Sequence, residues 1–270
     1  MAGILNIQIN PSFGKIDVNL RKTEHFIKKN SDKNIDLVVL PEFFSTGNDY
    51  ENYSRFAVDE NGGSTIEFIK ELAVKYNTNI IAGTVIEKSG VNYYNTAFVI
   101  DRKGWVAGKY RKIHLFDYMG GNEREIFTPG EEMAIVDLDI GKVGITISHD
   151  VRFPMLYKNL SKAGADIIAQ PSSWIIPDEI YNNINSLRYA QGTWEAINRI
   201  RAYDNQVYLI TSNQTKFSGN NGGAIGTSLI AAPTSEILAK AKDDQCAVYA
   251  DIDIQLVKYY KSLCPVAQID

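Results

Sequence analysis

The nearly continuous apolar run at residues 35–40, sequence IDLVVL, restricts the fold more than any other segment of the chain. A short run of this kind is typical of a strand that is buried on both faces, and such strands occur in parallel sheets covered by helices. A predicted strand at residues 4–9 and a polar segment of helical length around residues 15–30 precede it. The chain therefore opens with a predicted β-α-β unit, which indicates an α/β fold.

The rest of the chain continues this alternation. Ser64 and Glu67 form a capping-box pattern and predict a helix over residues 64–76. A second helix is predicted over residues 194–203, and a third begins near Pro154. Runs rich in β-branched residues predict strands at 80–86, 97–100, 105–109, 134–138, 143–147, 166–169, 207–211 and, as a strand-turn-strand, 228–238. The second half thus resembles the first, and we expect two related α/β halves that face each other, each with a mixed sheet covered by helices on one face.

Composition excludes several classes of protein. With 270 residues, 44% of them hydrophobic, and no linker-like segment, we expect one domain over residues 1–270. The net charge of -4 and the absence of a basic run argue against a nucleic-acid partner. No apolar stretch is long enough to span a bilayer and the first residues do not resemble a secretory signal, so we expect a cytoplasmic protein without a membrane partner. Cys246 and Cys264 fit a reducing compartment and show no metal-ligand spacing.

Glu42 follows the strand at residues 35–40 directly, in the sequence LPEFF. The carboxyl ends of strands in open α/β sheets form ligand crevices, and a carboxylate there can act as a base. The alternative is a carboxylate that caps the next helix or pairs at the surface.

Lys112 lies in the sequence YRKIHL after the strand predicted at residues 105–109. Its ammonium could point inward and stabilise a developing oxyanion. The alternative is a solvated basic surface.

Ser148 lies where the strand at residues 143–147 turns sharply into a helix, in the sequence ISHDVRFP. Hydrolases expose a nucleophile at such elbows, with the next backbone N–H free to bind an oxyanion. A purely structural turn is equally compatible with the local pattern, with Asp150 accepting backbone N–H groups and Arg152 paired to a carboxylate.

Taken in order, these three segments resemble the carbon-nitrogen hydrolase (nitrilase) superfamily. That family carries its glutamate in a strand-PE-F pattern, its lysine in Y-R-K-x-H-L and its cysteine in C-[YF]-D-x-R-F-P, which match Glu42, Lys112 and position 148. The similarity extends over nearly the whole chain, through FTPG at 127–130, QPS at 170–172 with Trp174, and WEAINRIRA at 194–202.

The resemblance implies a four-layer α-β-β-α sandwich that hydrolyses a non-peptide C–N bond through a covalent acyl-enzyme, without a cofactor or metal. It implies that Glu42 is the base, that Lys112 and the His149 backbone N–H hold the oxyanion, and that Glu123, or else Glu125, positions substrate and lysine. The omega-amidase-like branch implies a small-molecule amide that carries a carboxylate, for which we select Arg188 as the ligand, with Trp174 and His149 in the substrate site. Family members commonly form homodimers or larger homo-oligomers. A nitrilase or an N-carbamoyl amine hydrolase would use the same three positions.

Serine at position 148 departs from the family pattern. An alkyl hydroxyl is far less acidic than a thiol, so a glutamate is a poor base for it. Three explanations stay open: a replacement that inactivates the enzyme or traps its substrate, a non-catalytic ligand-binding relative, and a true serine variant. A Ser-His-Asp triad of Ser148, His149 and Asp150 is disfavoured because triad members converge from separate segments, and His114, His149 and Asp150 show no metal-ligand spacing.

Overall fold

The first strand, β1 at Ala2–Gln8, shows how the layers are organised, because its side chains alternate between two apolar cores. In this computed structural model, which describes residues 1–119, 121–217 and 222–269, Ala2 and Ile4 pack into one apolar cluster and Leu5 and Ile7 into another. Alternation with a period of two places successive side chains on opposite faces of a sheet. Both faces of this strand are therefore covered, as in the centre of a layered α/β fold.

The strands and helices of the described residues are as follows. The strands are β1 Ala2–Gln8, β2 Leu37–Val39, β3 Asn79–Ile81, β4 Val85–Ser89, β5 Asn92–Ile100, β6 Val106–Arg111, β7 Ala134–Leu138, β8 Gly141–Ile145, β9 Ile167–Ser172, β10 Ile175–Ile176, β11 Tyr208–Asn213, β12 Thr215–Phe217, β13 Gly223–Ile225, β14 Leu229–Ala231, β15 Ile237–Lys240 and β16 Cys246–Ile252. The α-helices are α1 Ile16–Lys29, α2 Tyr53–Phe56, α3 Gly63–Tyr76, α4 Glu123–Ile126, α5 Pro154–Lys162, α6 Asp178–Tyr181, α7 Ile184–Asn205 and α8 Ile254–Leu263. Three short 3-10 helices cover Tyr50–Asn52, Ser148–Arg152 and Val266–Gln268.

Two mixed sheets lie at the centre. The first has the order β16-β1-β2-β3-β5-β4, with β6 also paired to β5, and the second has the order β15-β14-β11-β9-β8-β7. Each contains three neighbouring parallel strands, β1-β2-β3 in one and β8-β9-β11 in the other. The predicted similarity of the two halves is present in this shared arrangement.

The sheets face each other across one core, and each is covered by helices on its outer face. The inter-sheet cluster joins Ile4 and Val39 of the first sheet to Ile145 and Ile210 of the second. Helices α1 and α3 pack on the first sheet, through Leu20 and Ile69 among others, and α5 and α7 pack on the second. This is the expected α-β-β-α sandwich. None of the helices in the described ranges is long and apolar enough to cross a membrane.

Two local predictions were wrong. Helix α3 begins at Gly63, with Gly62 as N-cap at φ 88° and no side-chain capping bond, so Ser64 and Glu67 form no capping box. A glycine in the left-handed region starts the helix one residue early and leaves Ser64 inside the first turn. The strand predicted at residues 80–86 is divided into β3 and β4, because Gly83 adopts a φ of 53° at which a strand cannot continue.

Candidate active site

Glu42 lies where the two sheets meet at the carboxyl ends of their central strands. It follows β2 of the first sheet, and its backbone N–H donates to the carbonyl oxygen of Ser172, at the end of β9 in the second sheet, over 3.3 Å. The Gln214 side chain donates to the Glu42 carbonyl oxygen over 2.8 Å. Glu42 thus follows a strand of the first sheet while its backbone is bound by the second sheet, which fixes its position at the edge where α/β folds form ligand sites.

Lys112 binds two carboxylates in the interior. Its Nζ lies 2.9 Å from Oε1 of Glu42 and 2.8 Å from Glu123, and all three side chains are about 2% exposed. Burial lowers the pKa of the Lys112 ammonium, but the adjacent charges of Glu123 and Glu42 outweigh it and leave the pKa raised. Lys112 is therefore a fixed cation at neutral pH, and the solvated basic surface considered for it is excluded.

Neutral donors also bind these two carboxylates. Asn95 on β5 donates through Nδ2 to Oε1 of Glu42 over 2.7 Å, and the Phe116 backbone N–H donates to Oε2 of Glu123 over 2.7 Å. Burial raises the pKa of Glu123, Lys112 opposes this shift, and the nearby Glu42 adds to it. Glu125, in contrast, is exposed and contacts neither Glu42 nor Lys112 in the described residues. Of the two candidate glutamates, Glu123 is the one brought to the lysine.

Ser148 occupies a strained elbow between β8 and α5. Its φ is 44°, in the left-handed region that non-glycine residues rarely adopt, and the side chain is 6% exposed. Such backbone strain costs on the order of 1–3 kcal/mol and persists where surrounding contacts enforce it. The sharp turn presents Ser148 to a cavity that His149 and Ser173 also line.

Asp150 enforces this elbow and joins it to the segment that carries Lys112. The buried carboxylate accepts the Ile147 N–H at 2.8 Å, the Tyr110 hydroxyl at 2.8 Å and the His114 N–H at 3.1 Å. It also contacts Nδ1 of His114 at 2.7 Å. Asp150 therefore has the structural role considered for it. Its carboxylate contacts the ring of His114 and not that of His149, so Ser148, His149 and Asp150 do not form a triad.

His149 lines the same cavity with its ring fixed. Nδ1 lies 3.1 Å from the carbonyl oxygen of Leu115, and the rings of Phe116 and Phe153 approach edge-on with centroids 5.2 and 5.3 Å away. Since a carbonyl oxygen only accepts, Nδ1 carries the proton in the neutral ring. Burial lowers the pKa of His149, and the positive charge of Lys112 lowers it further.

This lowered pKa predicts an acid-sensitive contribution to stability. The unfolded chain takes up a proton at this residue near pH 6.5 while the folded chain does so only at lower pH, so the free energy of unfolding falls as pH drops below about 6.5. We expect His149→Phe to reduce that fall. The measurement is urea unfolding of both forms between pH 5 and pH 8, with His25→Phe, at a histidine on helix α1, as control; equal pH dependence in all three forms would contradict the assignment.

Two other predicted site residues have different outcomes. Trp174 lines the cavity and packs against Trp194 with ring centroids 4.9 Å apart. Arg188 is not among the described residues that line the cavity: its segment is the start of helix α7 and not a loop, and the side chain is exposed. The cavity is lined from this helix by residues 185, 186, 189, 190 and 193, which share one face, and position 188 falls outside that arc.

Sequence reasoning missed Asn95 and Arg152 as site residues. Arg152, considered only as the partner of a carboxylate, lines the cavity and is exposed. Its place four residues after Ser148, in the elbow motif, was the available signal. No local sequence pattern marks Asn95, whose side chain donates to Glu42 although the two residues are 53 positions apart in the sequence. Among the described residues no group of three histidine, cysteine, aspartate or glutamate side chains is placed to hold a metal ion.

Known proteins are similar to this chain in sequence and in architecture. Residues 6–262 match the family model for carbon-nitrogen hydrolases. The chain is 32% identical to the 2-oxoglutaramate amidase of Bacillus subtilis (strain 168), over 96% of this chain and 94% of that protein, and 36% identical to a nitrilase of Pyrococcus abyssi, over 96% and 92%. The crystal structure of Saccharomyces cerevisiae Nit3, described as a member of branch 10 of the nitrilase superfamily, superposes with a TM-score of 0.85 at 25% identity and covers 98% of this chain and 94% of that one. The chain belongs to the carbon-nitrogen hydrolase family.

Proposed function

We propose that this chain is an amidase-type hydrolase that cleaves the C–N bond of a small-molecule amide at residue 148. The observation that carries the proposal is the buried cluster of Glu42, Lys112 and Glu123, whose lysine segment is tied by Asp150 to the Ser148 elbow. Burying three ionised groups is costly and is rarely retained for stability alone. Their position beside a strained elbow favours a catalytic role.

In the proposed reaction, the side chain of residue 148 attacks the amide carbonyl carbon, and Glu42 takes the proton that this side chain loses. The oxyanion of the tetrahedral intermediate is held by the Lys112 ammonium and the His149 backbone N–H. When the intermediate collapses, the C–N bond breaks and the proton on Glu42 passes to the leaving amine, which departs as ammonia from a primary amide. Water, deprotonated by Glu42, then hydrolyses the acyl-enzyme, releasing the carboxylic acid and regenerating residue 148.

Glu123 has a positioning role in this scheme. It shares the Lys112 ammonium with Glu42 and is held by the Phe116 N–H. Because Glu123 and Glu42 contact Lys112 and raise its pKa, the ammonium stays protonated. It can therefore stabilise negative charge without acting as an acid. Glu42 keeps one oxygen free of Asn95 and Lys112, which leaves it able to accept a proton.

The serine sets the expected level of activity. Because Glu42 is too weak a base to generate an alkoxide efficiently, we propose that the chain binds amides and turns them over slowly. Ammonia release from a panel of primary amides, nitriles and N-carbamoyl amines by the Ser148→Cys form tests the reaction class. A nitrilase activity is the second candidate, favoured by the Pyrococcus abyssi relative. Amide binding without turnover by either form would identify a non-catalytic relative.

The substrate of the omega-amidase-like branch carries a carboxylate, and Arg152 replaces Arg188 as its proposed ligand. The Bacillus subtilis relative, named for 2-oxoglutaramate, supports this branch. Arg152 lies on the cavity wall in the same 3-10 turn as Ser148, and an arginine pairs with a carboxylate through two parallel hydrogen bonds. We further propose a cytosolic homodimer or larger homo-oligomer, consistent with the exposed apolar side chains Met155, Ile200 and Tyr203.

Arg152→Gln tests the carboxylate contact. In the Ser148→Cys form we expect the KM for succinamate to rise about tenfold, because a charged hydrogen bond is lost at a partly solvated site, while the KM for neutral butyramide stays within about twofold. Arg188→Gln is the matched control and should change neither value. The same KM change for both amides, or for both arginine variants, would exclude Arg152 as the carboxylate ligand.

A further inference from the structure

The cavity at Ser148 is larger and more apolar than a short polar amide requires. Its volume is about 540 Å³, within the range of roughly 300 to 1,000 Å³ found for pockets that enclose drug-sized ligands. More than half of the described lining residues are apolar or aromatic, and they include Phe116, Trp174, Ile175, Ile176, Ile180 and Tyr189.

Among the described residues that line this cavity, charge is confined to one place. Arg152 is the only lysine or arginine among the described lining residues, and none of those residues is a carboxylate. His149, with its lowered pKa, is neutral at pH 7. The other polar lining residues are uncharged serine, threonine and asparagine side chains. A substrate carboxylate bound at Arg152, beside Ser148, would occupy the one charged part of the lining. The rest of the cavity lining would then have no charged group with which to bind a further polar group of the substrate.

The apolar wall is fixed by the fold. The backbone of Trp174 is held on both sides: its backbone N–H donates to Oδ1 of Asn213 over 2.9 Å, and its backbone carbonyl oxygen accepts the Ile225 N–H over 3.1 Å. Helix α6, which carries Ile180, is seated on β13 because the Tyr181 ring occupies the space that a side chain at Gly223 would fill. A preformed apolar surface binds an apolar group without the cost of ordering the site.

We propose that the substrate carries an apolar group, about the size of a six-carbon chain or an aromatic ring, that lies against the Trp174, Ile176 and Ile180 wall while its amide carbonyl is at residue 148. This inference rests on the proposed function and specifies its substrate class. It predicts that the site prefers amides with a long or aromatic acyl group over short ones. Each methylene that reaches the wall should raise kcat/KM about fourfold, the transfer free energy of one buried methylene expressed as a rate ratio.

The test is an acyl-length series of neutral amides in the Ser148→Cys form: acetamide, butyramide, hexanamide and phenylacetamide. We expect kcat/KM to rise from acetamide to hexanamide by roughly two powers of ten. Ile180→Ser should reduce the ratio of hexanamide to acetamide kcat/KM about tenfold. Ile184→Ser is the matched control, because Ile184 is an exposed isoleucine of the adjoining helix that does not line the cavity.

Calorimetric titration of the unaltered serine chain with the same amides separates this inference from the proposed reaction. Tighter binding of hexanamide than of acetamide, with no turnover by either form, would support the apolar site and overturn the proposed hydrolysis. Turnover with a kcat/KM that does not rise with acyl length would overturn the apolar site and support the proposed hydrolysis. The same response to Ile180→Ser and Ile184→Ser would do likewise.

Discussion

We expect Ser148→Cys to increase ammonia release from small primary amides by at least about a thousandfold, since removing or impairing a covalent nucleophile in an acyl-transfer enzyme costs several powers of ten. The physical reason is acidity. A thiol with a pKa near 8.5 gives up its proton to a carboxylate in a site that also holds the Lys112 cation, whereas an alkyl hydroxyl at the same position does not. The pocket itself should change little, because sulfur replaces oxygen at an elbow whose geometry is set by Asp150.

The experiment compares the two forms on the same amide panel, with intact-mass measurement of an acyl adduct on residue 148. Ser148→Ala serves as the control, since it keeps the elbow but has no nucleophile. Glu42→Gln in the cysteine background should return the rate to the level of the alanine form, because the base is lost while the hydrogen bond to Asn95 can persist. If the serine form turned over as fast as the cysteine form, Ser148 would be a competent nucleophile and the acidity argument would be wrong.

The candidate site residues that lie close to strand ends are the ones that the sequence marks. Lys112 follows β6 directly, and Glu42 and Ser148 each lie three residues after the end of a strand, β2 and β8, so the placement of the strands also places these residues. Glu123 was found from its spacing to Phe127, and its contact with Lys112 is present. Asn95 could not be found, because its role depends on which residue of β5 faces Glu42, and that register is set by packing between distant segments.

The fold class was predictable and several boundaries were not. Apolar runs with the expected periodicity mark the strands of both sheets, and the layered architecture follows from covering their faces. Helix α7, in contrast, begins at Ile184, ten residues before the predicted start, because Asn183 caps it by accepting the N–H groups of Asn185 and Ser186. That extension turned the supposed loop at Arg188 into a helix and brought Ala190 and Thr193 to the cavity instead.

We expect Lys112→Met to lower the free energy of unfolding by about 3–5 kcal/mol at pH 7, the usual cost of removing one member of a buried ion pair. Methionine matches the length of lysine, so the change deletes the charge and leaves Glu42 and Glu123 facing each other in the interior. The control is Lys70→Met, which breaks the ion pair of Lys70 with the exposed Glu67 at the surface. This variant should cost no more than about 0.5 kcal/mol. Chemical denaturation of both variants measures the difference.

The pH dependence of this loss identifies its cause. Without the lysine, one buried carboxylate has a folded-state pKa above its unfolded value, so it is preferentially protonated in the folded chain as the pH falls. The stability of Lys112→Met should therefore approach that of the unaltered chain between pH 7 and pH 5. The double variant Lys112→Met/Glu123→Gln should likewise recover most of the lost stability at pH 7, because only one charge is left and Asn95 still donates to it. A loss that is independent of pH and unchanged in the double variant would mean that Lys112 stabilises the fold through packing, and that the buried charges of this site are not coupled.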